Sequence, residues 1–383
     1  MSLAEYRTLG RSGLVVSPLA LGTMTFGMAR WGSDVAGSRA VFDAYVEAGG
    51  NFIDTANVYS GGRSEEMVGS FISERGLRDQ IVVATKAGFV AGKSPMEGGN
   101  GSKHLHAALN GSLRRLRTDY VDLFWVHVWD SVTPAEELLE TIAALVRTGK
   151  VRYWGLSNAP AWYVSKLATL AAVRGLPRPI ALQYFYSLVN RDIEDEHVPL
   201  AREFEMGILP WSPLAYGLLT GKYDRVKVAS AAPRAAGLPS AAAQDNERRP
   251  TDDKRLDGAN PFGDTLFTER NWKIVYVLRQ VATETGQSPA RIALSLVTTQ
   301  PGITSTLMGV SRAEQVSDNA SALGVVLSDA HRAKLGQASA LDAKMLYTLF
   351  TPALRQQVVF GGAGHQSLAM SSLSCPFSRT PYS

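Results

Sequence analysis

The chain has 383 residues, 45% of them hydrophobic and 19% charged, with a formal charge of +4 and a pI near 9.1. It contains no run of five lysines or arginines and no apolar stretch of the roughly 18 residues that a membrane span needs, which argues against nucleic-acid and membrane partners. Cys375 is the sole cysteine, so an intrachain disulfide framework is excluded. The segment Met1–Gly13 lacks the basic flank and long apolar core of a secretion signal, and the expected location is the cytoplasm.

In chain order, Tyr6–Leu9 and Leu14–Val16 around a GRSG turn read as a β-hairpin. Eight short apolar strands then follow: Leu19–Gly22, Asn51–Ala56, Ile81–Lys86, Val121–His127, Val151–Asn158, Ala181–Ser187, Gly207–Pro213 and Ser305–Val310. Amphipathic helical stretches follow them at Val35–Ala48, Ser64–Glu74, Lys103–Leu116, Pro134–Arg147, Ala161–Val173, Glu196–Phe204, Asn271–Thr285 and Arg312–Leu323. Near-continuous apolar strands suit a parallel sheet covered on both faces, and eight βα units in a row predict a (β/α)8 TIM barrel, with a doubly wound open sheet as the alternative. The barrel is expected over residues 1–345. Within it, residues 224–270, rich in Ala, Pro and charge, read as a mobile loop after strand seven. Residues 346–383 read as a C-terminal extension, in part disordered, because its end is rich in Gly and Ser and has no period.

Four polar residues sit at or just past the ends of apolar strands: Asp54, Tyr59, Lys86 and His127. Parallel barrel strands all direct their C-terminal ends to one face, so these side chains should converge in one pocket. Burial disfavours the charged lysine, and a neighbouring Asp54 carboxylate opposes that effect. An ammonium near a phenol is expected to lower the Tyr59 pKa and make it a general acid, while His127 orients a carbonyl oxygen. Each residue also has an ordinary structural reading, Asp54 as a turn residue and His127 as a satisfied core histidine, but their shared placement on successive strands favours one site. His104 and His106 are expected to be exposed. His197, His331 and His365 lack carboxylate or cysteine partners at ligand spacing, so no metal site is expected.

The stretches LALGTMTFG, NFIDTANVYSGGRSEEMVG, VVATKAG, VDLFWVHVWD, GKVRYWGLSN, ALQYFYSLVNR, PWSPLAYGLLTGKY and MGVSRAEQVSDN, in this order, closely resemble the aldo-keto reductase family. The resemblance spans nearly all of residues 6–325. It implies a (β/α)8 barrel, metal-free NADPH-dependent reduction of carbonyl compounds, and a catalytic tetrad of Asp54, Tyr59, Lys86 and His127 with Tyr59 as the acid. It also implies that Asn158, Gln183 and Trp211 hold the nicotinamide.

No G-x-G-x-x-G occurs, and GFVAGKS misses the spacing of a phosphate loop, so dinucleotide contacts should come from the later strand ends. Ser157, Asn158 and Gln183 suit a carboxamide, and Trp211 offers a flat face for a nicotinamide ring, with ordinary barrel packing as the alternative. Ser212, Leu214 and the loop from Gly217 to Lys222 offer donors for a pyrophosphate. Ser311 is expected near a helix N-terminus after strand eight, with Arg312 able to pair with a 2′-phosphate and Gln315 and Asn319 on the same face. Gly22, Thr23, Met24, Asp54, Pro213 and Gly309 complete the expected NADPH/NADP+ contacts. The substrate, a small carbonyl or alcohol, is expected to meet Phe26, Trp31, Phe89, Trp129, Tyr186 and Tyr216, an aromatic mouth suited to bulky aldehydes or ketones. The rival reading is a nicotinamide-binding regulatory or sensor subunit resembling potassium-channel β-subunits. A glycosidase on the same barrel lacks the second carboxylate it would need.

Overall fold

The computed structural model describes residues 2–29, 31–230, 255–256, 260 and 262–363. Much of the expected 224–270 loop, and the tail from residue 364 with His365 and Cys375, lie outside the described residues. A short hairpin, β1 (Arg7–Thr8) with β2 (Val15–Val16), precedes eight parallel strands. These are β3 (Leu19–Gly22), β4 (Phe52–Asp54), β5 (Val82–Ala87), β6 (Val121–Val126), β7 (Val151–Ser157), β8 (Ala181–Phe185), β9 (Gly207–Trp211) and β10 (Thr306–Gly309). They pair in the order β10-β3-β4-β5-β6-β7-β8-β9. An isolated bridge, Ile208 to Ile303, with Thr304 N–H donating to Ile208 C=O at 2.9 Å, links the two sheet ends. The result is a nearly closed barrel; the doubly wound alternative, whose edges stay apart, is excluded.

The helices are α1 (Val35–Glu47), α2 (Arg63–Glu74), α3 (Ser102–Leu116), α4 (Ala135–Arg147), α5 (Ala161–Arg174), α6 (His197–Glu203), α7 (Arg225–Ala229), α8 (Glu269–Thr285), α9 (Pro289–Thr298), α10 (Glu314–Ala320) and α11 (Asp329–Ala338). Two short helices follow, α12 (Met345–Thr348) and α13 (Pro352–Val358), ahead of the Gly- and Ser-rich end. Helices α9 and α11 go beyond the sequence expectation. Each begins on a serine cap: Ser288 Oγ accepts from the Arg291 N–H at 3.3 Å, and Ser328 Oγ accepts from the His331 N–H at 3.3 Å.

Strand alternation decides what the barrel encloses. Ala20, Phe52, Val82, Ala84, Leu123, Trp125, Ala181, Leu209 and Leu307 form one inner cluster, joined at the N-terminal end by Leu9 and Val16 of the hairpin, both fully buried. The hairpin therefore plugs that end. Continuing the same parity along each strand carries Asp54, Lys86, His127, Ser157, Gln183, Trp211 and Gly309 into the opposite, C-terminal mouth. The opposite face of each strand, with Leu21, Ile53, Val83, Phe124 and Leu182, packs outward in one cluster with helix residues such as Phe42 and Phe71.

Candidate active site

Register places the acid and the amine side by side. Asp54 pairs with Ala84 on β5, two residues before Lys86, and Lys86 pairs with Trp125 on β6, two residues before His127. Lys86 is fully buried; its Nζ donates to Asp54 Oδ1, to the Thr55 carbonyl at 2.8 Å and to the Tyr59 hydroxyl at 3.4 Å. The other carboxylate oxygen, Asp54 Oδ2, accepts from Trp125 Nε1 and Gln183 Nε2, both at 3.0 Å. The carboxylate is thus fully committed, which is what permits a charge at this depth.

Tyr59 is not on a strand. It follows β4 and opens the turn Tyr59–Gly62, in which Ser60, Gly61 and Gly62 have φ of 50°, 64° and 95°. Three consecutive left-handed residues reverse the chain sharply, and glycine makes two of them inexpensive. Ser60 Oγ ties the turn down by donating to the Phe26 carbonyl at 2.8 Å. The Tyr59 and His127 rings lie 6.1 Å apart at 79°, and the Phe89 ring packs on His127 at 4.3 Å.

The titration of these groups differs from one sequence expectation. Burial pushes the Tyr59 phenol above its usual value; Lys86 pulls against this, and Asp54 adds to the rise. The expected lowering of the Tyr59 pKa is therefore corrected: desolvation outweighs the ammonium, whose charge is shared with Asp54. For Lys86, burial is the largest single influence and pulls downward, yet Asp54 and Tyr59 together hold it above the usual lysine value. Burial, and then Lys86, hold the His127 imidazole well below its usual value, so it is neutral near pH 7. His127 Nδ1 is buried without a hydrogen-bond partner.

A second row of groups rims the mouth beside this cluster. Ser157 Oγ donates to the Gln183 carbonyl at 2.9 Å. Asn158, at φ 49°, donates to the His127 carbonyl at 3.0 Å and accepts from Trp211 Nε1 at 3.2 Å. One face of Trp211 stacks on Phe185 at 4.9 Å. Ser212, Ala215 and Tyr216 also have positive φ, and five of the eight non-glycine residues of this kind among the described residues border the mouth. Such local strain is concentrated where a site overdetermines the backbone. Gly217 has φ 92°, and a Cβ there would lie 2.8 Å from Lys222 Nζ, so the loop of Ser212, Pro213, Leu214, Gly217 and Lys222 is a close-fitting cradle with an amine at its edge. Gly22, Thr23 and Gly309 line adjoining strand ends; Thr23 Oγ1 donates to the Asp54 carbonyl at 3.2 Å, and Met24 Sδ accepts from Arg255 Nη2 at 3.6 Å. The orphaned imidazole nitrogen, the amide-bearing rim and the glycine cradle form a donor set that fits a nicotinamide dinucleotide.

Several expected positions fall differently. Helix α10 starts at Glu314 rather than Arg312, because Gln315 Oε1 accepts the Ser311 and Arg312 N–H groups at 2.9 and 3.2 Å and holds them in a turn outside the helix. Arg312 is exposed and Asn319 buried. Phe26 is fully buried against Phe71, behind the mouth rather than in it. Tyr186 is also buried, its hydroxyl donating to Glu194 at 2.6 Å. Trp31 and Tyr216 face each other across Arg255, while Trp129 sits at the rim against Trp162 and Tyr163. His104, expected to be exposed, is buried on the inner side of α3. Sequence reading passed over Trp125, although the parity of VDLFWVH puts it on the face of His127, and Arg255, which no local pattern marks.

The fold and site together define a (β/α)8 barrel whose C-terminal mouth gathers an acid, a phenol, an amine and an imidazole. The family model described as the aldo/keto reductase family matches residues 18–340, and the chain belongs to that family. It is 34% identical over 325 residues to a probable voltage-gated potassium channel subunit beta of Oryza sativa subsp. japonica, covering 84% of this chain and 92% of the relative. It is 33% identical over 351 residues to norsolorinic acid reductase of Aspergillus flavus, covering 89% and 82%. It is 32% identical over 380 residues to the NADP(+) aryl-alcohol dehydrogenase of Phanerodontia chrysosporium, covering 95% and 93%. Oxidoreductases thus stand among its relatives beside a channel subunit.

Proposed function

We propose that the protein is an NADP(H)-dependent oxidoreductase that reduces aldehydes or ketones to alcohols, reversibly, with Asp54, Tyr59, Lys86 and His127 as its catalytic groups. The observation that carries this reading is the Lys86 ammonium, held between Asp54 and the Tyr59 hydroxyl at the barrel mouth. When bound, the reduced nicotinamide supplies hydride to the carbonyl carbon. Tyr59 gives its proton to the oxygen as negative charge develops there, and Lys86 stabilises the phenolate left behind. Neutral His127 donates a hydrogen bond to the same oxygen and fixes its direction. Asp54 keeps Lys86 charged at a depth where it would otherwise lose its proton. Asn158, Gln183 and Trp211 would hold the nicotinamide; Ser212, Leu214, Gly217 and Lys222 the pyrophosphate; Ser311, Arg312, Gln315 and Asn319 the adenosine end. The name of the Phanerodontia relative, an aryl-alcohol dehydrogenase, and the aromatic mouth of Trp31, Phe89, Trp129 and Tyr216 both support an aryl carbonyl substrate.

Tyr59→Phe is the direct test. It should lower NADPH-dependent reduction of 4-nitrobenzaldehyde by at least about a hundredfold while NADPH binding changes little. Native turnover by this variant would remove Tyr59 from the reaction. The channel-subunit relative supports a second reading, a nicotinamide-binding sensor; slow single turnover with tightly held cofactor would favour it over a reductase.

A further inference from the structure

The Tyr59 turn and the Lys86 strand are joined a second time, on the outer side of β5. Glu65, the third residue of α2, is fully buried on the helix face that also carries Val68 and Ile72. Its Oε1 accepts from Thr85 Oγ1 at 2.5 Å, and its Oε2 accepts from Arg115 Nε of α3 at 2.6 Å. Thr85 precedes Lys86 and, by alternation, faces the helices while Lys86 faces the barrel interior. Arg115 carries the link on to the turn: a Cβ on Gly62, whose φ is 95°, would lie 2.8 Å from Arg115 Cδ and 2.9 Å from its Nε. Helix α3 approaches this closely because of Gly69, where a Cβ would lie 2.5 Å from the Leu116 carbonyl carbon. One carboxylate thus joins the residue before Lys86 to the turn that Tyr59 opens. A buried ion pair is commonly no more stabilising than apolar side chains of similar volume, and Val68 and Ile72 occupy the same face one and two turns along. Stability alone gives little reason for a carboxylate here; a fixed separation between turn and strand does.

We propose that Glu65 is a positioning residue: paired with Arg115 and bonded to Thr85, it sets the 3.4 Å separation between the Tyr59 hydroxyl and Lys86 Nζ. This rests on the reductase reading above, in which that contact serves the proton transfer. Lys86 has its own supports. Its Nζ donates to Asp54 and to the Thr55 carbonyl, and Thr55 Oγ1 shares a hydrogen bond with Ser64 Oγ at 3.0 Å. Loss of Glu65 therefore releases the Tyr59 turn and leaves the ammonium in place. With the two groups further apart, burial and Asp54 act on the phenol with less opposition from Lys86, and its pKa rises further.

The experiment compares Glu65→Leu and Glu65→Gln with the native full chain, using 4-nitrobenzaldehyde and the corresponding alcohol. Leucine suits the helix face, and Arg115, whose side chain is 29% exposed, can turn to water, so Glu65→Leu should fold. Its kcat for reduction should fall about ten- to a hundredfold, the range of a displacement near 1 Å. KM for the aldehyde and NADPH affinity should change less than about threefold. The rise of alcohol oxidation with pH should move upward by about half a unit or more. Glu65→Gln, which keeps an acceptor for Thr85, should recover part of both effects. A native kcat in Glu65→Leu overturns the proposal. So does a lowered kcat with the pH rise unmoved, which would make Glu65 a residue of stability alone. If Glu65→Leu does not fold, Glu65→Gln decides by the same two readings. If the native protein turns over neither compound, the reductase reading fails instead. Tyrosinate absorbance, taken with and without Tyr59→Phe in each background, then decides: a Tyr59 phenol that ionises at higher pH without Glu65 supports the proposal, and an unmoved one overturns it.

Discussion

At the residue scale, the proposed chemistry depends on one buried carboxylate that satisfies three donors from three other strands. Asp54 receives Lys86 from β5, Trp125 from β6 and Gln183 from β8. Removing the ammonium leaves an uncompensated buried charge, a loss of about 3–5 kcal/mol in comparable pairs. Lys86→Met should therefore lower the denaturation midpoint as well as the turnover, and chemical denaturation of the two proteins measures it. The pH profile follows from the two neighbours. Reduction needs Tyr59 protonated, and its pKa lies above the ordinary 10.0 in this structure. The kcat/KM for reduction should stay flat across about pH 6–9 and fall only as pH rises through the phenol's own pKa, while alcohol oxidation rises in the same direction. His127 is neutral throughout that window, so no limb should appear near pH 6.5. A limb there would show that His127 titrates. Asp54, Lys86 and His127 were legible in the sequence because each ends an apolar run. The acidity of Tyr59 was not, because the balance between burial and an ammonium depends on depths that no spacing encodes.

At the element scale, alternation along each strand does most of the positioning. The same parity that buries Leu123 and Trp125 inside the barrel brings His127 to the mouth. The neighbouring strand accommodates Trp125 with a glycine. A Cβ on Gly155 would lie 2.5 Å from Trp125 Cζ3 and 2.5 Å from the Ala181 carbonyl oxygen. Gly155→Ala should therefore cost about 1–3 kcal/mol and displace Trp125 from Asp54. Thermal melting together with Trp125 fluorescence would detect both, and an unshifted melt would mean the barrel has slack at this layer. Helix ends were harder to read than strands. The Ser288–Pro289 and Ser328–Asp329 starts carry sound capping signals, yet α9 and α11 fall outside the simple βα alternation that guided the sequence reading. At α10 a side chain, Gln315, takes the Arg312 amide that helical periodicity had placed inside the helix, together with that of Ser311 before it.

At the scale of the whole molecule, the barrel holds the groups proposed to bind a dinucleotide and the proposed reacting groups on one face. Ligand that binds only the folded state stabilises it by about 2.7 kcal/mol at a hundred times its Kd. NADPH should accordingly raise the melting temperature by several degrees, and by more than NADH does at equal concentration if Arg312 meets a 2′-phosphate. Equal shifts for the two would remove that role from Arg312. The sequence by itself determined the strand count, their parallel order and the family, and it singled out the four polar residues that meet at the mouth, because apolar runs, turn residues and strand-end polar groups are local signals. Only the tertiary structure decided that Phe26 and Tyr186 turn away from the mouth, that Trp125 and Gln183 share Asp54, and that Arg255 arrives between Trp31 and Tyr216. Those outcomes depend on which side chains from distant strands and loops compete for the same space and the same hydrogen bonds, and that competition exists only once the barrel has closed.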